Sequence, residues 1–192
     1  EDNMFRIVIA DDEPIIKMDV REILELNGYS VVGEASDGVE AIEVCRNTLP
    51  DLVLMDIKMP VLDDLKAVEI IHEQKLARCV LMLTAYNEKS MLEQAKNADV
   101  MGYLIKPVDE NSLIPAIEIA LAKQSKIEKM NREFEKTRTA LESRKYIDRA
   151  KGILMETKKM SELEAYSYMR KVAMDQECTI ARIAQTIILS YR

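Results

Sequence analysis

Carboxylate side chains directly follow two of the apolar runs in the first part of the sequence. Asp11 and Asp12 come after residues 5–10, and Asp56 comes after residues 52–55. If both runs are strands of one open parallel sheet, these carboxylates meet at the edge where ligands bind. Carboxylates held close together repel one another unless a cation lies between them, and oxygen ligands of this kind suit Mg²⁺. The spacing therefore predicts a magnesium site.

A hydroxyl and an ammonium follow two further apolar runs. Thr84 comes after residues 80–83, and Lys106 comes after residues 101–105. Beside metal-bound carboxylates, these groups complete a pocket that suits a tetrahedral, multiply charged anion. This set favours phosphoryl transfer to a carboxylate, with the metal and the ammonium neutralising the charge that develops. The sequence contains no glycine-rich phosphate loop, which argues against nucleotide binding.

Short apolar runs alternate with helical patterns up to about residue 121. Strands are predicted at Phe5–Ala10, Ser30–Ala35, Leu52–Met55, Val80–Leu83 and Met101–Ile105. Helices are predicted between them, for example at Pro14–Asn27 and Gly38–Thr48, where apolar residues recur at steps of three and four. Such alternation is typical of βαβ units, which form a parallel sheet with right-handed crossovers.

Four segments that carry these residues resemble the receiver domain of two-component response regulators. They are Ile7-Val-Ile-Ala-Asp11-Asp12-Glu13, Asp51-Leu-Val-Leu-Met-Asp56-Ile-Lys58-Met-Pro60, Leu83-Thr84-Ala85 and Gly102-Tyr103-Leu-Ile-Lys106-Pro107. The resemblance covers about residues 4–122. It implies the α/β fold class, with a five-stranded doubly wound parallel sheet of the flavodoxin-like type, and a sensor histidine kinase as partner.

The resemblance also implies which residues hold the metal and accept the phosphoryl group. Asp56 would be the phospho-acceptor. Asp11 or Asp12 would hold Mg²⁺ together with Asp56, and the main-chain carbonyl of Lys58 would be a further ligand. An alternative for Asp12 is a capping role without direct contact to the metal.

Three residues in the second half of the receiver-like part would respond to phosphorylation. By the same resemblance, Thr84 and Lys106 would contact the phosphoryl group, and Tyr103 would be the aromatic side chain that changes position on activation. The alternative for Tyr103 is an ordinary place in the core. The Lys106–Pro107 peptide bond would be cis.

The overall composition excludes several classes of protein. Of the 192 residues, 48% are apolar and 32% are charged, which indicates a folded chain rather than a disordered one. Three scattered cysteines favour reduced thiols over a disulfide framework, and a single histidine argues against a Cys/His zinc site. Since there is no run of about 18 apolar residues and no signal segment at the start, we expect a cytoplasmic protein without a membrane partner.

The net charge of −7 is unevenly distributed along the chain. Residues 1–122 carry 11 Lys and Arg against 24 Asp and Glu, a net charge of −13. Residues 123–137 carry 5 against 3, and residues 138–192 carry 11 against 7, so both segments are basic. An acidic front and a basic back indicate parts with different partners.

The sequence after Pro107 has a helical pattern, with Ser112 as the predicted N-cap. Within a predicted linker helix at 123–137 and just beyond it, apolar residues recur at steps of three and four. We define the apolar ones as the seam: Ile127, Met130, Phe134 and Leu141; Thr137 occupies the intervening position that completes the 3-4-3-4 spacing. About two heptads of this kind predict a coiled coil that forms a homodimer on phosphorylation. The alternative is a linker helix that packs on its own chain.

Three further helices are predicted, at Arg138–Thr157, from Ser161 onward with a capping box, and at Thr179–Ser190 with Thr179 as a possible cap. Their sequence resembles the ANTAR domain of transcription antitermination regulators. The matching segments are Ile147-Asp-Arg-Ala150-Lys151-Gly152-Ile-Leu154-Met155, Ser161-Glu-Leu-Glu164-Ala165-Tyr166-Ser-Tyr-Met-Arg170-Lys-Val-Ala173-Met174 and Ile183-Ala184. The resemblance covers about residues 138–192. It implies a three-helix domain that binds a pair of stem-loops in a nascent leader RNA, so that no terminator forms.

Basic side chains beside tyrosines suit unpaired bases in RNA loops. The predicted RNA contacts are Lys151, Tyr166 and Arg170, with Arg144, Lys145 and Arg149 as phosphate contacts. The alternative is a solvated helix face with half-buried tyrosines. Small residues are predicted to let the helices pack closely, and four larger ones to fill the core. The small residues are Ala150, Gly152, Ala165, Ala173 and Ala184, and the larger ones are Leu154, Met155, Met169 and Met174.

The sequence thus predicts a regulator, not an enzyme, that a histidine kinase phosphorylates on Asp56 and that then dimerises and binds RNA. Two other outputs stay open, a DNA-binding transcription factor and a domain that sequesters a protein. DNA is a poor fit because the last helix offers only Arg182 and Gln185 to base edges. No nucleophile–base pair for an enzymatic output is apparent after residue 122.

Overall fold

The computed structural model of the chain describes residues 4–60, 64–85 and 100–191. The chain divides into two compact units, Glu1–Ile127 and Glu128–Arg192. Its elements are β1 (Arg6–Ala10), α1 (Pro14–Leu26), β2 (Ser30–Ala35), α2 (Gly38–Thr48), β3 (Leu52–Asp56), α3 (Asp64–Glu73), β4 (Cys79–Ala85), β5 (Gly102–Lys106), α4 (Glu110–Lys158), α5 (Glu162–Asp175) and α6 (Ile180–Ser190). The domain boundaries at residues 122 and 137 stay predictions.

The five strands form one parallel sheet in the order β2-β1-β3-β4-β5, which confirms the predicted fold class. From β1 the chain moves outward to β2, and it then returns past β1 to β3. The strand order therefore reverses between β1 and β3. The carboxyl edge beside such a reversal is where ligands bind in open α/β sheets.

Apolar cores cover both faces of this sheet. Along β1 and β3, successive side chains alternate between the two cores, as the pleat of a strand requires. Helices α2 and α3 pack on one face, whereas α1 and the first turns of α4 pack on the other. Because both of its faces are covered, β3 is entirely buried, which explains its continuous apolar run.

Helix α4 differs from the sequence prediction in two ways. It is continuous from Glu110 to Lys158, without a break near residue 138, because neither glycine nor proline occurs between Pro115 and Gly152. The predicted N-cap was also wrong. Asp109 Oδ1 accepts the Ser112 N–H at 2.9 Å, and Ser112 Oγ accepts the Asp109 N–H at 3.1 Å. Asp109 is therefore the cap, and Ser112 is its partner in a reciprocal capping pair.

In the second unit, both predicted caps are confirmed. Ser161 forms a capping box with Glu164, and Thr179 accepts the Arg182 N–H. The core contains six of the nine residues predicted for close packing: Ala150, Leu154, Ala165, Met169, Ala173 and Ala184.

The other three packing predictions for this unit were wrong. Met155 and Met174 are 40% and 70% exposed. Each directly follows a buried residue, and one step along a helix turns the side chain about 100° away from the core. At Gly152, an added Cβ would meet no further atom of the described residues within 4 Å, so packing does not require a glycine there.

Within the described ranges, no helix combines the length and the apolar character that crossing a membrane would require.

Candidate functional site

Three carboxylates meet at the carboxyl edge of the sheet, as the sequence predicted. Asp11 directly follows β1, and Asp56 ends the neighbouring strand β3. One oxygen each from Asp11, Asp12 and Asp56 can be chosen so that all three lie within 4.8 Å of one another. Asp11 and Asp56 are buried, whereas Asp12 is exposed. The cluster is therefore open to solvent on the side of Asp12.

The Lys106 ammonium bridges the two buried carboxylates. Its Nζ lies 2.6 Å from Asp11 Oδ2 and 2.9 Å from Asp56 Oδ2, and Glu13 Oε1 is 3.9 Å away. Lys106 is the last residue of the edge strand β5, so its side chain reaches past the end of β4. The Lys106–Pro107 peptide bond is cis, as expected.

The environment changes the pKa of both Asp56 and Lys106. Burial raises the pKa of the Asp56 carboxyl; the hydrogen bond and charge of Lys106 oppose this rise, but the pKa stays above its ordinary value. Burial by itself would lower the pKa of Lys106, but hydrogen bonds and charges from Asp11 and Asp56 outweigh it and raise that pKa. Lys106 is therefore a fixed positive charge at neutral pH.

The cluster has more negative charge than Lys106 balances. Asp11 Oδ1 accepts the Glu13 N–H at 2.9 Å. Asp11 Oδ2 is fully buried and, apart from its ion pair with Lys106, makes no well-directed hydrogen bond to any described residue. A buried carboxylate oxygen with unused lone pairs is suited to coordinating a metal. The donor set therefore fits a hard divalent cation.

The loop after β3 is fixed against the neighbouring strand. The Ile57 N–H donates to the Leu83 carbonyl at 2.9 Å, and the main-chain N–H of Lys58 donates to the Asp56 carboxylate. The backbone of Lys58 is thus next to Asp56, as its predicted role as a carbonyl ligand requires.

Thr84 and Tyr103 lie on the adjacent strands β4 and β5. Thr84 is completely buried, and its hydroxyl donates to the Ala85 carbonyl at 3.2 Å. Tyr103 is 51% exposed, so the alternative of an ordinary core residue is wrong. A buried hydroxyl near the site and an exposed aromatic ring beyond it are the two parts that a phosphorylation switch would need.

The predicted RNA contacts in the second unit differ in how far their side chains are exposed to solvent. Arg144, Lys145, Arg149, Tyr166 and Arg170 are exposed. Lys151 is instead largely buried: its Nζ lies 2.8 Å from Asp148 Oδ1 and 2.7 Å from Glu162 Oε1. It therefore ties the end of α4 to α5, and these carboxylates compete with any RNA phosphate.

Sequence reasoning missed one contact in this unit and one buried charge in the first. Lys158 Nζ lies 4.7 Å from the centre of the Tyr168 ring, a cation–π contact between α4 and α5. The missed charge is Lys17 on α1, which is 8% exposed. A lysine between apolar helix residues gives no signal of burial in the sequence, because its long side chain is usually exposed.

All four seam residues are exposed: Ile127, Met130, Phe134 and Leu141 are 43%, 59%, 67% and 56% accessible. Within the described part of the chain, no segment covers these side chains to the extent that a core residue would be covered.

Known proteins match the chain in the same two parts. The family "Response regulator receiver domain" matches residues 7–118, and the family "ANTAR domain" matches residues 135–188. The transcriptional regulatory protein PdtaR of Mycobacterium tuberculosis is 39% identical over 183 residues, 95% of this chain and 89% of that protein.

Solved receiver domains have the same fold as the first unit. The signal receiver domain of NarL from Mycobacterium tuberculosis has a TM-score of 0.58 at 29% identity, over 62% of this chain and 97% of that one. A CheY-like receiver protein from Methanospirillum hungatei has a TM-score of 0.59 at 30% identity, over 65% and 98% of the two chains. The chain therefore belongs to the response regulators, with a receiver domain followed by an ANTAR domain.

Proposed function

We propose that a sensor histidine kinase phosphorylates this protein on Asp56, and that the phosphorylated protein dimerises and binds stem-loop RNA in nascent transcripts to prevent termination. One observation carries the first half: a single ammonium, Lys106 Nζ, contacts both Asp11 and Asp56 within a cluster of three carboxylates. The match of residues 135–188 to ANTAR domains supports the second half. The layout also resembles ethanolamine-utilisation antitermination regulators, and a role in that process stays a prediction.

Asp56 is the carboxylate best placed to act as nucleophile. It ends the strand β3, and contacts from Lys106 and the Lys58 N–H fix its orientation. One of its oxygens would attack the phosphorus of phosphohistidine. A P–O bond forms as the P–N bond breaks, and the electron pair of the broken bond stays on the imidazole nitrogen. Because the attack requires an ionised carboxylate, the raised pKa of Asp56 has to be overcome.

Positive charge near Asp56 would meet this requirement. Asp11, Asp12 and Asp56, with the main-chain carbonyl of Lys58, would hold Mg²⁺, which when bound neutralises negative charge on the carboxylates and on the transferring group. The Lys106 ammonium stays protonated throughout and donates to a phosphoryl oxygen. Asp12 is the exposed member of the cluster, which suits a ligand on the side from which the donor approaches.

Phosphorylation would then change the preferred conformation of the receiver domain. The Thr84 hydroxyl would turn from the Ala85 carbonyl to a phosphoryl oxygen, and the exposed Tyr103 ring would move toward the space beside it. Both states exist before phosphorylation, and the phosphoryl group favours one because it bonds to Thr84 only there.

Dimerisation would connect this change to RNA binding. The four exposed apolar seam residues would become buried against a second copy. Each protomer would bind one stem-loop, so pairing two protomers raises the effective concentration of the second domain near the second stem-loop. The exposed Arg144, Lys145 and Arg149 would contact phosphates, and Tyr166 and Arg170 would contact loop bases.

The proposal is tested by treating the wild type and Asp56→Asn with acetyl phosphate and Mg²⁺. Asp19→Asn, which removes an exposed carboxylate on α1, is the matched control. We expect phosphoprotein in the wild type and the control, and none in Asp56→Asn. Phosphoprotein formation at another residue would contradict the assignment.

The output is tested with gel shifts on an RNA with two stem-loops, an RNA with one, and duplex DNA. We expect salt-dependent binding that is tightest for the two-stem-loop RNA, and read-through of a terminator placed downstream of it in transcription assays. Preference for duplex DNA would favour a DNA-binding regulator. Absence of any salt-dependent nucleic-acid binding would favour a protein-sequestering output.

A further inference from the structure

The ammonium of Lys17 is a buried positive charge for which the proposed chemistry has no use. Lys17 is 8% exposed, and its Nζ donates to Ser36 Oγ at 2.6 Å and to the Ala35 carbonyl at 3.4 Å. Among the described residues, no carboxylate oxygen lies within 4.0 Å of this nitrogen. Burying a charge with only neutral partners costs free energy. A group kept at such a cost without a direct counter-ion is a candidate for a functional role.

One carbonyl connects Lys17 to the acidic cluster. Ala35 is the last residue of β2, and β2 is the neighbour of β1 in the sheet. The Ala35 carbonyl accepts the Asp11 N–H at 3.1 Å as well as the Lys17 ammonium. Lys17 therefore holds the backbone oxygen that in turn holds the backbone of Asp11.

Lys17 and Lys106 approach the cluster from the sides of the two opposite edge strands, β2 and β5. Lys106 comes from β5, at one edge, and touches Asp11 and Asp56 directly. Lys17 lies beside β2, at the other edge, and is separated from Asp11 by the shared carbonyl. The Ala35 carbonyl thus connects Lys17 to the three-carboxylate cluster, whereas Ser36 connects it to Glu40, an exposed residue whose carboxylate accepts the Ser36 N–H at 2.7 Å.

We propose that Lys17, which is connected to Asp11 through the Ala35 carbonyl, adds a second positive charge beside the acidic cluster. The proposal rests on the proposed phosphorylation of Asp56. A fixed positive charge repels Mg²⁺ and attracts an anionic phosphodonor. Lys17 thus weakens metal binding while it favours phosphoryl transfer, and the opposite signs of the two effects separate it from a residue that only supports packing.

The test compares Lys17→Met, Lys17→Arg and the matched control Lys123→Met in the full chain. Lys123 is exposed on α4, two residues before Ser125, whose hydroxyl accepts from Arg78 ahead of β4 at 3.4 Å. This contact places Lys123 toward the amino edge of the sheet, away from the cluster. Both methionine variants lower the net charge by the same amount, so long-range effects of net charge cancel in the comparison.

Two quantities are measured on each variant: the Kd for Mg²⁺, from amide shifts in an NMR titration, and the kcat/KM for phosphorylation of Asp56 by acetyl phosphate at saturating Mg²⁺. For Lys17→Met we expect Mg²⁺ binding about threefold to tenfold tighter, and a kcat/KM lower by a similar factor. Lys17→Arg keeps the charge and should match the wild type within about twofold in both, as should Lys123→Met.

The outcomes separate the possible failures. Loss of both metal affinity and kcat/KM in Lys17→Met, with a spectrum that still shows a folded receiver domain, would mean a packing role only and overturn the proposal. Unchanged values would overturn it too. If Lys17→Met does not fold, the same two measurements are made on Lys17→Gln, which keeps a hydrogen-bond donor without the charge. The proposal then requires tighter Mg²⁺ binding and a lower kcat/KM in Lys17→Gln. If the wild type binds no Mg²⁺ or is not phosphorylated on Asp56, the proposed function itself fails.

Discussion

Lys106 Nζ lies 2.9 Å from Asp56 Oδ2, although β4 separates the strands that carry these two residues. The contact is possible because Lys106 is the last residue of β5, where its long side chain can extend along the carboxyl edge of the sheet. The same nitrogen reaches Asp11, beyond β1. One cation thus connects residues at the ends of three strands.

Replacing Lys106 with methionine should destabilise the receiver domain. The substitution leaves Asp11 and Asp56 buried without their counter-ion, a change that costs about 3 kcal/mol in comparable buried pairs. Added Mg²⁺ should restore part of the loss, because it supplies charge to the same oxygens. Urea unfolding with and without Mg²⁺ measures both effects, and Lys123→Met serves as the control. Equal stability of Lys106→Met and the wild type without Mg²⁺ would contradict the ion-pair interpretation.

Replacing Asp56 with asparagine should stabilise the domain at neutral pH when Mg²⁺ is absent. The pKa of Asp56 is raised in the folded state, so the folded protein binds the Asp56 proton more tightly than the unfolded chain does. This difference stabilises the fold, and the stabilisation is fully present below the ordinary carboxyl pKa. That contribution is lost as the pH rises through the raised value, where the buried charge begins to oppose folding. Asparagine carries no charge at any pH.

Thermal unfolding of the wild type and Asp56→Asn from acid to neutral pH checks this. The advantage of Asp56→Asn should be largest near pH 7 and should shrink as the pH falls through the raised pKa of Asp56 toward the ordinary carboxyl value of about 4. A constant difference across this range would show that the substitution acts by some route other than the charge of Asp56.

Charged substitutions in the seam should prevent dimerisation without lowering monomer stability. Phe134 is 67% exposed, so Phe134→Glu costs the monomer little buried surface, whereas in a coiled coil it places two charges in an apolar interface. Asn131→Glu adds the same charge to α4 outside the seam. Light scattering of the phosphorylated proteins should give dimers for the wild type and Asn131→Glu, and monomers for Phe134→Glu. Dimers in all three would exclude the seam as the interface.

The exposed and the paired basic residues of the ANTAR domain should behave differently. Arg149→Gln should weaken binding to the same extent for RNAs of different sequence, because a phosphate contact does not read bases. It should also reduce the slope of log affinity against log salt concentration by about 0.7, the value for one lost contact to a single-stranded phosphate. Lys151→Gln should mainly lower the thermal stability of the second unit, because Lys151 is bound to Asp148 and Glu162. Titrations at several salt concentrations distinguish the two, and a larger change in slope for Lys151→Gln would reverse the assignment.

The sheet and the acidic cluster could be predicted from the sequence because both depend on short-range pattern. Each strand is a brief apolar run, and Asp11, Asp56 and Lys106 each stand at or just after its end. The carboxyl ends of parallel strands meet at one edge, so the position in each run already indicated which side chains would meet.

Features that depend on tertiary contacts could not be predicted in this way. Methionine is common in protein cores, but at Met155 and Met174 it is the preceding residues, Leu154 and Ala173, that are buried in the core of the second unit. The charge of Lys151 and its i,i+3 neighbour Asp148 are visible in the sequence, but its partner Glu162 is not. Glu162 lies eleven residues further along the chain, and only the packing of α5 against α4 brings it within 2.7 Å.

The most direct test of the central claim measures the affinity of the protein for a two-stem-loop RNA before and after treatment with acetyl phosphate and Mg²⁺. For the wild type, phosphorylation should raise the affinity by roughly tenfold or more, since pairing two protomers makes the second stem-loop contact intramolecular. Asp56→Asn should bind with the same affinity under both conditions. Equal affinity of the phosphorylated and unphosphorylated wild type would contradict the coupling between Asp56 and RNA.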